Sequence, residues 1–483
     1  MPPAIAAAVY GAVILGLFAL DRDREARVSL ALWIPVVWTS IGASRSVSEW
    51  SAGVTPLLKN PDEFIDGNAL DRNLLAGLVA IALMVLFVRG KRTGATLRAN
   101  GPILVFFLYG ALSMFWSDFP DVTFKRLIKA FGNVLMVMIV LTDRNPGEAV
   151  KKLLARIGFL LIPLSVLLIK YFPQYGRGFS TLEWKAYNIG VSTDKNDLGA
   201  IALVFGLASV WRLIAAIRSE ERPRRVGPLI AHGFLVAMTL YLFQLASSAT
   251  SFVCFVLGVF LIGVMNLRSF EGRPAAIHVF MAAATVVAVL AVSLGVSDIF
   301  FGALGRETTL TGRTGLWQDL LQMDVNPWFG TGFESFWLGD RAKSLWQVYW
   351  WHPNQAHNGY LETYLNLGWL GVALFGVIAI WGYFNVTDTF SRYSDMGRLR
   401  LAFFVVALLY NTTEASFKVM HPVWITFLLA VAVIPETRPR QPKRRVAGMT
   451  NAAVKVSESS SVRRLHALRS HHVEIFDRHG QRP

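Results

Sequence analysis

The sequence predicts an all-α protein, a polytopic membrane helical bundle of about 13 transmembrane helices with one long outer loop containing short helices. Three observations predict it. Of the 483 residues, 54% are hydrophobic and only 16% are charged, against about 25% charged in ordinary soluble domains. The mean hydropathy of +0.44 exceeds what one soluble core can hide, because cores stop growing beyond roughly 250–300 residues. Finally, apolar runs recur along the chain, and Lys and Arg crowd into alternate connections between them.

Runs apolar and long enough to cross a bilayer lie at about 3–20, 28–42, 73–88, 102–116, 127–142, 153–172, 197–217, 228–246, 252–266, 276–297, 361–385, 401–413 and 419–434. The first has no basic n-region and no cleavage site, so it reads as a membrane helix rather than a signal peptide. Cys254, the single cysteine, falls inside an apolar run. That excludes an intramolecular disulfide and a multi-thiolate metal site.

Charge sets the orientation. The connections 21–27, 89–100, 143–152, 218–225, 267–274 and 386–400 hold 3, 4, 3, 4, 2 and 3 Lys/Arg, and residues 435–483 hold 11. Placing all of these inside puts the N-terminus outside and the C-terminus in the cytoplasm. The net charge of +15 then reflects topology, not nucleic-acid binding. Four regions are expected: helices 1–10 over 1–297, a long outer loop over 298–360, helices 11–13 over 361–434, and a disordered basic cytoplasmic tail over 435–483. The loop is too long and too rich in Trp (Trp317, Trp328, Trp337, Trp346, Trp350, Trp351) to be a simple connection. Within it, Arg313–Gln322 reads as a short helix and Asn326–Gly332 as a turn.

The outer connections hold the candidate chemistry. Arg177 in GRGFS, Lys195 in TDKND, and Arg306 and Arg313 in GRETTLTGR could converge on one anion. The arginine fork suits a phosphate. Interfacial anchoring to lipid headgroups is the bland alternative for each. His352 and His357 lie in WHPNQAHNGYLE, and a histidine can take a proton from an attacking hydroxyl near neutral pH. No set of ligands with metal spacing surrounds them. Asp319, Glu334, Asp340 and Glu362 could serve as glycosidase acid and base, although a pyrophosphate leaving group needs positive charge instead. Glu414 stands four residues before Lys418, a spacing that favours a local ion pair if the segment is helical.

The segments GRTGLWQDLLQMDVNPWFGTGFESFW and HPNQAHNGYLETYLNLGWLG resemble the O-antigen ligase and polymerase superfamily, and among its members those that polymerise exopolysaccharide. The pattern is an Arg-Thr-x-x-Trp helix, a Pro-x-x-Gly-x-Gly turn, and a His-Asn-x-Tyr-Leu element with glycines eleven and fourteen residues after the histidine, here Gly368 and Gly371. LSMFWSDFP (112–120), GRGFS and TDKNDLG are similar to further family elements, as are residues 29–50 and NALDRN (68–73). The resemblance spans roughly 29–434.

It implies a GT-C-like glycosyltransferase with no metal or other cofactor, acting on an undecaprenyl-pyrophosphate-linked oligosaccharide within membrane lipid. Polysaccharide-export or chain-length proteins are further partners it admits, and nucleic acid is not among them. By the same resemblance Arg177, Arg306 and Arg313 grip the pyrophosphate, Lys195 and Asn196 match a Lys-Asn pair, and His357 is the base or acceptor-orienting group. Asn358 and Trp317 join the substrate-binding set. SSATS (247–251) departs from the family by lacking a basic residue. The function expected is polymerisation of lipid-linked repeats. The alternatives are ligation of the glycan to lipid A-core and, from another class, transport by a flippase. A transporter would place its polar residues at mid-membrane, whereas here they gather in outer connections.

Overall fold

The computed structural model describes residues 1–23, 27–52, 67–180, 185–219, 222–267, 269–270, 273, 275–283 and 313–435. Arg306 lies outside them, as do most of the expected tenth span and nearly all of the basic tail. The described chain is helical apart from one antiparallel hairpin, Arg177–Ser180 with Lys185–Asn188. It is a multi-pass membrane protein. Pro146–Tyr171 and Lys195–Arg218 form the centre, with 78% and 72% of their apolar windows buried, whereas Pro3–Leu20 and Ala69–Val88 have 11% and 17%. Peripheral helices that expose side chains as apolar as Phe87 and Leu15 have lipid as their solvent.

Helix length and composition support fewer spans than the 13 expected. Among the described residues six helices are long and apolar enough to cross a membrane, or seven if Gly90–Ala99 and Gly101–Phe115 form one broken span. That pair bends by 85°, so the basic connection at 89–100 is itself helical rather than a loop. Other apolar runs fold as shorter helices, Leu30–Ala43, Ala249–Val264 and Pro422–Val431.

Two groups of connections form, and contacts run within each. In one, Arg89 pairs with Asp143 at 3.4 Å, Arg212 with Asp21 at 3.1 Å, and Arg218 donates to the Asn266 carbonyl. In the other, Arg45 donates to the Tyr175 carbonyl, Arg341 pairs with Asp118 at 2.8 Å, and Thr413 donates to Thr250. The sequence elements quoted above meet in this second group.

There, the 112–120 element docks on the Pro-x-x-Gly-x-Gly turn. Phe333 N–H donates to Ser113 Oγ at 2.8 Å, Thr123 Oγ1 donates to the Phe333 carbonyl at 3.1 Å, and Asp118 N–H faces the Thr331 carbonyl. The turn also interrupts the long helix Gly359–Arg392. Thr331 and Gly332 N–H donate to the carbonyls of Leu365 and Asn366, while Trp369 and Leu370 N–H donate to Pro327 and Trp328. Two glycines permit this. Gly368 has φ 64° inside the helix, and a Cβ there would lie 2.2 Å from the Trp328 carbonyl carbon. Gly332 has φ 100°, and its Cβ would lie 2.5 Å from that of Ser117. Both need the left-handed region and close approach that only glycine supplies.

Candidate active site

The site is built at the start of the broken helix. Asn358 is its N-cap, and its Oδ1 accepts from Tyr360 and Leu361 N–H. The residue before it, His357, holds φ 51°, an uncommon conformation for a non-glycine residue that costs on the order of 1–3 kcal/mol and persists only where its surroundings impose it. One constraint is local: Trp317, on the helix Arg313–Gln322, donates its indole N–H to the Ala356 carbonyl at 2.7 Å. Another is the His357 side chain itself. Its Nδ1 lies 3.3 Å from Glu414 Oε2, while Arg313 Nη2 lies 3.2 Å from the other oxygen, Oε1. Arg313 also donates to the Thr413 carbonyl.

The result is a chain of three ionisable groups, Arg313–Glu414–His357, two from the loop 298–360 and one from the connection before the last described helix. Glu414 is buried, and a buried carboxylate needs partners. If His357 Nδ1–H donates to Glu414, the Nε2 lone pair is left to take a proton. Asp194 adds a further carboxyl nearby: burial and then the charge of Asp197 push it above its ordinary value, and its oxygen caps the helix Lys195–Arg218 through Asn196 N–H.

The other expected site residues divide. Arg313, Trp317, His357 and Asn358 come together, although Asn358 and Trp317 spend their described hydrogen bonds on holding the backbone around His357. Lys195 is exposed and Asn196 follows it in the first turn of their helix. The Asn196 carbonyl lies 3.4 Å from Tyr410 OH. Arg177 is exposed on the hairpin and donates through Nε to the Ile169 carbonyl, with no described contact to the Arg313–His357 pair. His352 stacks on Trp346 at 4.5 Å, with the rings 8° from parallel. Of the carboxylates weighed as a glycosidase acid and base, Asp319 accepts from Tyr349 OH, and Glu362 accepts from Trp337, Asn366 and the Ala356 N–H. Asp340 is exposed beside Lys343.

One pairing is corrected. Glu414 does not pair with Lys418. The segment between them is turns and bends rather than helix, so the four-residue spacing brings no faces together, and Lys418 donates to Gln355 instead. Glu414 is the residue that sequence reasoning missed. The signal available was a carboxylate in an outer connection with a buried basic partner to be found, but its partners are 57 and 101 residues away. Among the described residues no group of three His, Cys, Asp or Glu is placed to hold a metal ion.

Comparison with known proteins bears on this geometry. Residues 233–376 match the family model described as O-antigen ligase. That stretch is similar to an O-antigen ligase domain. That match includes Arg313, Trp317, His357 and Asn358. The chain is also similar to the exopolysaccharide production protein ExoQ of Rhizobium meliloti (strain 1021), at 25% identity over 360 residues, covering 71% of this chain and 78% of the relative.

Proposed function

We propose that this protein belongs with the O-antigen ligases and polymerases and is a metal-independent membrane glycosyltransferase. It joins undecaprenyl-pyrophosphate-linked oligosaccharides into an exopolysaccharide at the periplasmic face of the inner membrane. The observation that carries the reading is the Arg313–Glu414–His357 chain, three groups gathered on the strained N-terminus of the broken helix. The similarity to an exopolysaccharide production protein supports it.

In this reading the donor is a nascent glycan on its lipid pyrophosphate, and the acceptor is a hydroxyl of an incoming lipid-linked repeat. His357 Nε2 takes the hydroxyl proton as the new C–O bond forms at the anomeric carbon. The bond from that carbon to the phosphate oxygen breaks, and its electron pair leaves with the pyrophosphate. Glu414 orients the imidazole and balances the charge it gains, as a third group orients the base in nucleophile–base pairs. Arg177, Lys195, Arg306 and Arg313 supply positive charge on the leaving-group side. Two of the five N–H donors of Arg313 are described as spent on Thr413 and Glu414, so its first task is to hold Glu414. Asn196 belongs to the substrate side, and Asn358 and Trp317 act by fixing His357. The loop 298–360 is the catalytic loop, the N-terminus is periplasmic, and the tail is cytoplasmic.

The description of residues 233–376 as O-antigen ligase favours a second reading, transfer of the glycan to lipid A-core. Deleting the gene and sizing surface and secreted glycans separates the two. Loss of long secreted polymer with intact lipopolysaccharide is the expected result. Loss of the lipopolysaccharide glycan with normal secreted polymer would replace polymerisation by ligation.

A further inference from the structure

A cavity of about 390 Å³ lies beside the Arg313–Glu414–His357 chain. Gly359 and Ala415 form part of its wall, and each is within two residues of a member of that chain. Three cationic side chains line it: Arg126 and Lys129 from the helix Pro120–Leu141, and Lys418 from the connection before the last described helix. None of them belongs to the set that sequence reasoning assigned to the pyrophosphate.

The cavity has two chemical halves. Arg126 donates to the Glu334 carbonyl and Lys418 to Gln355 Oε1 at 3.2 Å, so both heads are held where the cavity opens on them. Two carboxylates also stand in the lining: Glu334, whose charge acts on Arg126 and Lys129, and Glu362, which accepts from the Trp337 indole, Asn366 and the Ala356 N–H, so the three cations outnumber them by one. Against these polar groups stands an aromatic wall of Phe106, Phe107 and Trp424, with ring centroids 6.4 and 6.5 Å apart. A ligand that suits both halves has concentrated negative charge joined to an apolar chain. A size of several hundred Å³ with few convergent polar groups and an aromatic lining is that of a specific small-ligand site.

We propose that this cavity binds the pyrophosphate end of a polyprenyl-linked sugar, as an anion site separate from Arg313. The proposal rests on the polymerase reading, in which donor and acceptor each bring a lipid pyrophosphate and one anion site is not enough. Arginine and lysine supply charge-assisted hydrogen bonds to the phosphates, and the aromatic wall takes the first isoprene units.

Calorimetric titration of the purified full-length protein, in nanodiscs of phosphatidylcholine, with farnesyl pyrophosphate tests it. The expected result is saturable binding that Lys129→Gln and Lys418→Gln each weaken by about tenfold or more, the loss of one charged hydrogen bond. Lys129→Arg should keep most of the affinity, which separates a lost charge from a damaged fold. Inorganic pyrophosphate should compete more weakly than the prenylated probe, and phosphatidylglycerol added to the nanodiscs should not displace it. Affinity unchanged in both glutamine variants, or lost only in Arg313→Gln, would overturn the proposal. So would equal binding of inorganic pyrophosphate, or displacement by phosphatidylglycerol, which would make this a free-anion or a headgroup site. Because the readout is binding, it stands apart from the glycan analysis: two-substrate polymerisation can fail there while this site survives, and the reverse.

Discussion

At the scale of single residues, the decisive pair is His357 and Glu414. His352 and His357 have the same φ of 51° and stand five residues apart, yet one ring lies flat on Trp346 and the other meets a buried carboxylate. Only the second has the orienting partner that a general base needs. His357→Ala should therefore lower polymer formation by about 10²–10⁴-fold at unchanged membrane abundance, with His352→Ala much milder. Glu414→Gln keeps the volume and removes the charge that balances imidazolium, so it should lower kcat with little change in KM for the lipid-linked donor. Polymerisation assays on membranes with equal protein levels check both. An inactive His352→Ala beside an active His357→Ala would remove His357 from the reaction. That histidine was legible in the sequence because it sits in a quoted motif. Glu414 was not, because its partners are distant in the chain and its nearest basic neighbour, Lys418, offered a local pairing that the turn conformation forbids.

At the scale of elements, the quoted motifs prove to be docking surfaces for one another. The 112–120 element, the turn at 327–332 and the break at Gly368 share one hydrogen-bonded contact, which explains why glycines stand at those offsets from the histidine. The sequence disclosed the helix Arg313–Gln322 and the turn after it, since both are local. It could not disclose that the turn would split the eleventh expected span, because a left-handed glycine reads as an ordinary helix residue until something presses on it. Gly332→Ala forces a Cβ to 2.5 Å from Ser117 at φ 100°. It should lower the thermal unfolding midpoint in detergent and reduce activity, since the turn braces the helix that starts just after His357. Gly376→Ala is the control in the same long helix: its Cβ would meet nothing within 4 Å, so it should hold or raise the midpoint. A midpoint unaffected by Gly332→Ala would mean the turn is not a brace.

At the scale of the whole molecule, composition alone specified a membrane protein of many helices, and six or seven of those among the described residues are long and apolar enough to cross a membrane. Polar residues inside a bundle shorten a helix's apolar stretch: Pro120–Leu141 is long enough to cross, yet Lys125, Arg126 and Lys129 interrupt it. Arg126 and Lys129 line the cavity, so the feature that weakens the helix as a span is the one that gives it chemistry. Two kinds of observation support the proposed sidedness. Charge counts divide the connections into basic and less basic sets, and hydrogen bonds join Arg45 to Tyr175, Asp118 to Arg341 and Glu414 to Arg313 within the less basic set. Segments in direct contact must lie on one side of a bilayer, so a single inverted helix would break several contacts at once. The positive-inside rule then gives the direction. A reporter fused after Arg445 should read cytoplasmic, and one inserted beside the exposed Asp340 should read periplasmic. If both read cytoplasmic, the Arg313–Glu414–His357 chain would stand on the side where nucleotide sugars rather than translocated lipid-linked repeats are the available donors. The polymerase reading would then fail at its substrate.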